Sequence, residues 1–181
     1  CKDEVESLYD EEIEDVVFGR PVIYRTNPDE NARALQQMKK ACITAGFKNP
    51  FFEYEPIAAA YAHEQNLTRE KIAVVIDIGG GTTEIAVISM GDIVNANSVR
   101  VGGEDMTDRL IEWLRTEHSM LVDEGIAESL KHAIGSAYQY DKEPQVTVTG
   151  RDIVKGVPKQ VLLEASDVRN ALSPVVQDII E

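Results

Sequence analysis

Cysteine is scarce in this 181-residue chain, with only Cys1 and Cys42 present. Two cysteines cannot build the disulfide framework of a small secreted domain, and they show no zinc-ligand spacing. The expected setting is reducing and cytoplasmic. Positive charge is scarce as well: 18 Lys and Arg face 32 Asp and Glu, a formal net charge of −14. Nucleic-acid affinity rests on Lys and Arg, so this balance argues against nucleic acid as a partner. It leaves a nucleotide open, because backbone amides and one metal ion can hold phosphates locally. No apolar run approaches the length of a membrane span. Of the three histidines, His63 and His118 have no partners in the pattern and are expected at the surface. The chain begins at Cys1 and ends at a helical-looking Glu181, and is expected to be a piece of a longer protein.

What is present alternates between helical and strand periodicity. Residues 2 to 12 read as a helix with Val5, Leu8 and Tyr9 on one face, followed by strands at Asp15 to Gly19 and Val22 to Tyr24. Pro28 and Asp29 open a helix that runs to about Ala45 and stops at Gly46. Phe51 to Tyr54 is strand-like, and EPIAAAYAHE is a helix with Pro56 in its first turn, where the missing amide is harmless. Lys71 to Ile78, Thr83 to Met90 and Ile93 to Val99 read as three strands, the last after a turn at Gly91-Asp92. Residues 104 to 119 form an amphipathic helix with Met106, Leu110, Trp113 and Leu114 inward. A second helix covers about 123 to 134 and stops at Gly135, with Ile126, Leu130, Ala133 and Ile134 as its apolar face. Gln145 to Thr149 and Gln160 to Glu164 are strand-like, and Ser166 is expected to cap a final helix.

The stretch VVIDIGGGTTEIAVI, residues 74 to 88, stands out. A plain hairpin needs only a two-residue turn such as Asn-Gly. Gly79, Gly80 and Gly81 exceed that need. Successive glycines without Cβ let their N–H groups converge on one anion, and Thr82 and Thr83 add hydroxyls at the same tip. Asp77 would stand at the mouth of such a site, suited to hold magnesium through water. Strand–glycine–strand is not the Walker arrangement, in which the glycines lead into a helix.

Other groups have modest readings on their own. Glu55, at the start of the EPIAAA helix, favours the positive end of a helix dipole. Asp105 and Asp108 do the same for the helix after Gly102-Gly103, and that glycine pair reads as a strand-to-helix turn or as a close approach to nucleotide phosphate or sugar. Glu128, Lys131, His132 and Gly135 share the polar side of their helix, where an i, i+3 ion pair contributes ~0.2–0.5 kcal/mol.

The motif VVIDIGGGTTEIAVI resembles the second phosphate loop of the actin-like ATPase superfamily, which includes actin, the bacterial filament protein MreB and the DnaK-type chaperones. FEYEPIAAAYAHE is similar to the first connecting helix, with its EP-x-AAA pattern, and VRVGGEDMTDRLIEWL to the segment after the phosphate hairpin. AESLKHAIGSAY and VTVTGRDIVKGVPKQVLL resemble MreB most closely, whereas IEDVVFGRPV leans toward DnaK-like proteins. The likeness covers most of residues 15 to 181.

The resemblance implies an RNase H-like α/β lobe with a mixed sheet, flanking helices and a small inserted α/β subdomain. Residues 1–54 would be the end of domain I or the start of the lobe, residues 55–102 and 161–181 its core, and 103–160 the insert. It implies ATP and magnesium as cofactors. Glu55 would orient the attacking water, Thr82 would help hold that water or a γ-phosphate oxygen, and Asp77 would hold hydrated magnesium. Gly79, Gly80, Gly81, Thr82, Thr83, Gly102 and Gly103 would approach the nucleotide. Glu128 and Lys131 would bond the ribose hydroxyls, with His132 against the adenine, where DnaK-type proteins carry arginine. The family's first phosphate hairpin and its adenosine loop are not recognisable, so the ATP site is expected to be incomplete here. Self-association into filaments follows from an MreB-type reading, with room for membrane-associated partners. The alternatives are a DnaK-like chaperone ATPase and a nucleotide-dependent regulator that does not polymerise.

Overall fold

The computed structural model describes residues 2–23, 28–61, 72–90 and 92–181. Expectations that touch Tyr24, residues 62–71 (His63 and Lys71 among them) or Gly91 fall outside the described residues. The chain divides into two compact units. One comprises Cys1–Asp77 and Glu84–Ser98, the other Ile78–Thr83 and Val99–Glu181.

In the first unit, α1 (Lys2–Tyr9) precedes β1 (Asp15–Arg20), which pairs in parallel with β2 (Asn49–Tyr54), from Asp15↔Asn49 to Arg20↔Tyr54. Parallel neighbours need a crossover, and α2 (Pro28–Thr44) supplies it. Asp29 and Glu30 lie in its first turn, where the dipole favours acids. Its end is fixed by Gly46 at φ 93°, which frees Phe47 N–H to reach the Cys42 carbonyl at 3.2 Å and Gly46 N–H to reach that of Ile43 at 3.0 Å. The arrest brings Phe47 edge-on to Phe18, which stacks on Phe52 across the β1–β2 ladder. No strand forms at Val22–Ile23; the Val22 N–H is bonded by a side chain instead. α3 (Glu55–Tyr61) follows β2 directly.

Strands β3 (Ile72–Ile78), β4 (Thr83–Ser89) and β5 (Asp92–Val99) form a sheet in the order β3-β4-β5. The four-residue connection between β3 and β4 permits only an antiparallel pair. Because β4 is central it carries the buried positions, Thr83, Glu84, Ala86 and Ile88.

The second unit packs α4 (Gly103–Glu117), α5 (Glu124–Ile134) and α6 (Ala165–Ile180) against an antiparallel sheet of β6 (Met120–Leu121), β7 (Gln145–Asp152) and β8 (Pro158–Glu164). Its core joins Leu110 and Leu114 of α4, Ala127, Leu130 and Ile134 of α5, Val148, Leu163, and Val168 and Leu172 of α6. Met106 and Trp113 pack on its margin, as the helical spacing predicts. Ala133, expected on the apolar face of α5, is exposed. His118 is half-buried rather than a surface residue, with its ring edge-on to Trp113 at 4.8 Å. The final helix starts earlier than expected: its cap is Glu164, whose N–H donates to Asp167 at 3.0 Å, and not Ser166. β6 was not legible in the sequence, because two residues carry no periodicity. Its trace is Gly150, where a Cβ would lie 2.5 Å from the Leu121 carbonyl oxygen. Among the described residues no helix is long and apolar enough to cross a membrane.

Candidate functional site

The glycine turn belongs to the second unit and is seated on the start of α4. Gly103 N–H donates to the Gly79 carbonyl at 2.8 Å, and Glu104 N–H to that of Gly80 at 2.7 Å. These are first-turn amides with no partner inside their own helix, so the turn's carbonyls satisfy them. Gly79 N–H closes the turn on the Thr82 carbonyl at 2.8 Å. The N–H groups of Gly80, Gly81 and Thr82 meet no acceptor among the described residues, and all three residues are exposed. They form a row of unused donors at one tip, the arrangement an anion requires.

Gly102 makes the docking feasible. Its φ of −159° is extended backbone open to any residue, so conformation does not demand glycine there. Space does: a Cβ would lie 2.4 Å from the Gly80 oxygen and 2.5 Å from the Gly79 oxygen. Asp105 reaches back to accept the Gly102 N–H at 2.8 Å, a definite bond beyond the dipole role expected of it. Thr83 differs from expectation. Its side chain is fully buried, and its hydroxyl donates to the Val101 carbonyl at 2.8 Å, away from the exposed tip where Thr82 stands.

Lys131 of α5 reaches the same place. Its ammonium donates to the Gly103 carbonyl at 2.8 Å and to the Thr107 hydroxyl at 3.0 Å, and pairs with Glu128 at 2.7 Å. The Thr107 hydroxyl also bonds the Glu128 carboxylate. The Lys131 ammonium, and then the Thr107 hydroxyl, hold the Glu128 carboxyl below the usual glutamate range. His132 lies outward and touches Glu128 at 3.1 Å. Thr107 was missed by the sequence reading. The available signal was its position four residues after Gly103, whose carbonyl it also bonds at 3.0 Å. Glu104 was missed too, and it places a like charge where a phosphate would enter: its carboxylate oxygen lies 3.0 Å from where a Gly80 Cβ would be.

Glu55 and Asp77 belong to the first unit, where both are half-buried. Room for the Glu55 side chain comes from Gly19, whose Cβ would lie 3.1 Å from Glu55 Cγ. A third carboxylate, Glu84, was not foreseen. It is 3% exposed, and both its oxygens accept the Val22 N–H at 3.2 Å. Burial pushes its carboxyl up from the usual glutamate range against the pull of the Val22 amide, and the negative charges of Glu55 and Asp77 push it further. The first unit therefore gathers three acids, with Glu84 the most deeply buried. Among the described residues no group of three or more His, Cys, Asp or Glu is arranged to hold a metal by itself.

Comparison with known proteins matches residues 15–181 to the family described as MreB/Mbl protein. The cell shape-determining protein MreB of Escherichia coli K12 is 38% identical over 143 residues, which cover 79% of this chain and 41% of that protein. The cell shape-determining protein Mbl of Bacillus subtilis is 32% identical over 167 residues, covering 91% and 50%. The chain thus spans about half the length of the curated relatives it matches. Among solved structures, MreB5 of Spiroplasma citri bound to ADP is similar with a TM-score of 0.79 at 28% identity, over 99% of this chain and 55% of that one. The AMPPNP-bound form of MreB5 gives 0.76.

Two comparisons of variants test this geometry. Gly102→Ala should destabilise the chain by ~1–3 kcal/mol in urea unfolding, because carbonyl backbone must shift to admit the methyl group. Gly103→Ala should be milder, since its Cβ would meet chiefly the mobile Lys131 ammonium at 3.3 Å. Equal effects would contradict the docking. The second is Glu84→Gln, which keeps an acceptor for Val22 and removes the buried charge. The folded-state pKa of Glu84 lies above the unfolded one, so its favourable contribution is complete at acid pH and is lost as pH rises through the raised value. Glu84→Gln should therefore melt above the native chain at neutral pH, with the gap closing once both states of Glu84 are protonated.

Proposed function

Since the chain belongs to the MreB/Mbl family and shares its actin-type α/β fold, we propose that it carries part of the nucleotide site of a filament-forming, cell shape-determining ATPase. One observation supports this above the rest. The turn Gly79–Thr82 is locked from behind by α4 and offers three unpaired amides at its open tip. Such a row suits the phosphates of ATP better than it suits a simple reversal of the chain.

The residues have separable tasks in this reading. Gly80, Gly81 and Thr82 donate to phosphate oxygens. The side of the Gly81 backbone has space, with only a Glu104 oxygen among the described residues within 4 Å of a Cβ built there. Glu128 holds ribose hydroxyls, and Lys131 fixes the Glu128 carboxylate against Thr107 and Gly103 as well as facing the sugar. His132, at the exposed end of the pair, lies against the base. Gly102 and Gly103 keep the turn close to α4. Thr83 contributes through its backbone, its hydroxyl being committed to Val101.

Magnesium, when bound, neutralises charge on the phosphates. It keeps several waters and takes one or two carboxylates, so Asp77 fits as a partner reached through water. Glu55 is assigned to orienting the attacking water, a positioning task that supplies much of the catalysis in phosphoryl transfer. The relatives are cell-shape proteins, which favours a filament over a chaperone.

In the whole protein, Lys131→Ala should weaken ATP binding by about tenfold, the scale of one charge-assisted bond. Glu55→Ala should slow hydrolysis while leaving ATP binding nearly unchanged. Electron microscopy of the whole protein with ATP should show filaments. Unchanged turnover in Glu55→Ala, or its absence in the native protein, would defeat the catalytic assignment; a persistent monomer would defeat the cytoskeletal one.

A further inference from the structure

Strand β7 is fully paired along one edge and nearly bare along the other. Its antiparallel ladder with β8 runs from Gln145↔Glu164 to Arg151↔Pro158. The flanking bonds fix its phase, with Ala165 N–H donating to the Pro144 carbonyl and Asp152 N–H to that of Val157, both at 2.9 Å. Hydrogen-bonded pairs recur at every second residue of such a ladder. Val146, Val148 and Gly150 therefore turn their backbone groups toward β8, and Gln145, Thr147 and Thr149 turn theirs to the opposite edge. β6 covers that edge only at Leu121↔Arg151 and Met120↔Asp152. Over Gln145–Thr149 the outward N–H and C=O groups meet no partner among the described residues.

A groove of about 470 Å³ runs beside this bare edge, walled by Val146 and Val148 of β7 and by Ile126, Leu130 and Ala133 of α5. Bare edges recruit strands, and proteins usually blunt them with lysine or proline. Gln145–Thr149 has neither. Among the described residues, Asp123, followed by the exposed Glu124, is the one ionisable side chain lining the groove, and no Lys or Arg lines it.

We propose that this groove is a peptide-docking site. The ligand is an extended segment of a partner protein, with apolar side chains at alternate positions and Lys or Arg at the end beside Asp123. It continues the line of β6, bonds to Gln145, Thr147 and Thr149, and places its apolar side chains against α5. Main-chain bonds then give affinity and the groove gives selectivity, as in other cases of strand addition. Gln145–Thr149 offers ~17 Å of edge, the span of about five residues. This site shares no residue with the nucleotide reading and does not depend on it.

Amide exchange of the 181-residue chain, followed by NMR, tests the proposal. In the free chain the Thr147 and Thr149 amides should exchange rapidly, whereas Val146 and Val148, bonded to β8, should be protected. The probe is a capped peptide, Arg-Lys-Val-Thr-Val-Thr-Val. It should slow exchange at Thr147 and Thr149 and shift the resonances of Ile126 and Leu130. Methylating alternate peptide nitrogens should weaken binding at least about tenfold, because two main-chain bonds are lost. Ala133→Trp, which fills the groove from an exposed position, should abolish binding without altering the circular dichroism spectrum. Slow exchange at Thr147 and Thr149 in the free monomer overturns the proposal, as does no binding at about 1 mM peptide. Insensitivity to N-methylation or to Ala133→Trp does the same. Protection that appears only with dimer formation would assign the edge to a second copy and equally overturn the peptide.

Discussion

Two backbone hydrogen bonds, from Gly103 N–H to Gly79 and from Glu104 N–H to Gly80, hold the glycine turn to the start of α4. Other features of the site follow from them. A helix begins with amides it cannot satisfy internally, and their positive end of the dipole favours carbonyl oxygens or anions. Here two of those amides are used up on the turn itself. The donors left without an acceptor among the described residues are the amides of Gly80, Gly81 and Thr82. Gly102 must lack a side chain because the two carbonyls lie where its Cβ would be. Asp105 then closes the bend by holding the Gly102 N–H.

The two units solve different electrostatic problems. In the second, acid and base are matched: Glu128 has Lys131 and the Thr107 hydroxyl, and its carboxyl is held ionised. In the first, Glu55, Asp77 and Glu84 gather, and burial together with the charges of its two neighbours drives Glu84 toward its neutral form. Like charges gathered under partial burial are tolerated where chemistry needs them, and perturbed carboxyls concentrate at functional sites. The backbone amides of Val22 and, to a smaller degree, Ile23 are the counterweight that keeps Glu84 in place.

Much of the fold was legible because its elements are long and strongly patterned. The α4 face of Met106, Leu110 and Leu114 and the strands around the glycine turn are set by local periodicity, and the structure places them accordingly. The errors fall where a partner distant in sequence decides. Val22–Ile23 looked extended enough to pair, but its backbone bonds Glu84, 62 residues away. Ser166 is a good cap by type, yet the helix is capped two residues earlier, by Glu164 at the end of β8. For the site, the glycines and the Glu128–Lys131 spacing were visible as motifs. Thr107 was not, because its role arises only where α4 and α5 meet. Nor was the inward turn of the Thr83 hydroxyl, since tip and interior differ by one residue on a strand.

The reach of Lys131 to the Gly103 carbonyl, 28 residues back in the chain, bears on modularity. Helix α5 would be an interchangeable part if its only covalent and polar ties ran through its two ends. It has a further polar tie, from Lys131 to the first residue of α4, on which the glycine turn is seated. A chimera that exchanged α5 for an unrelated helix would keep every glycine of the motif and still lose the strut behind it. The inheritable part is thus larger than the motif: Gly79–Thr82, Gly102–Thr107 and the Glu128–Lys131 turn of α5 must move together for the turn to keep its shape.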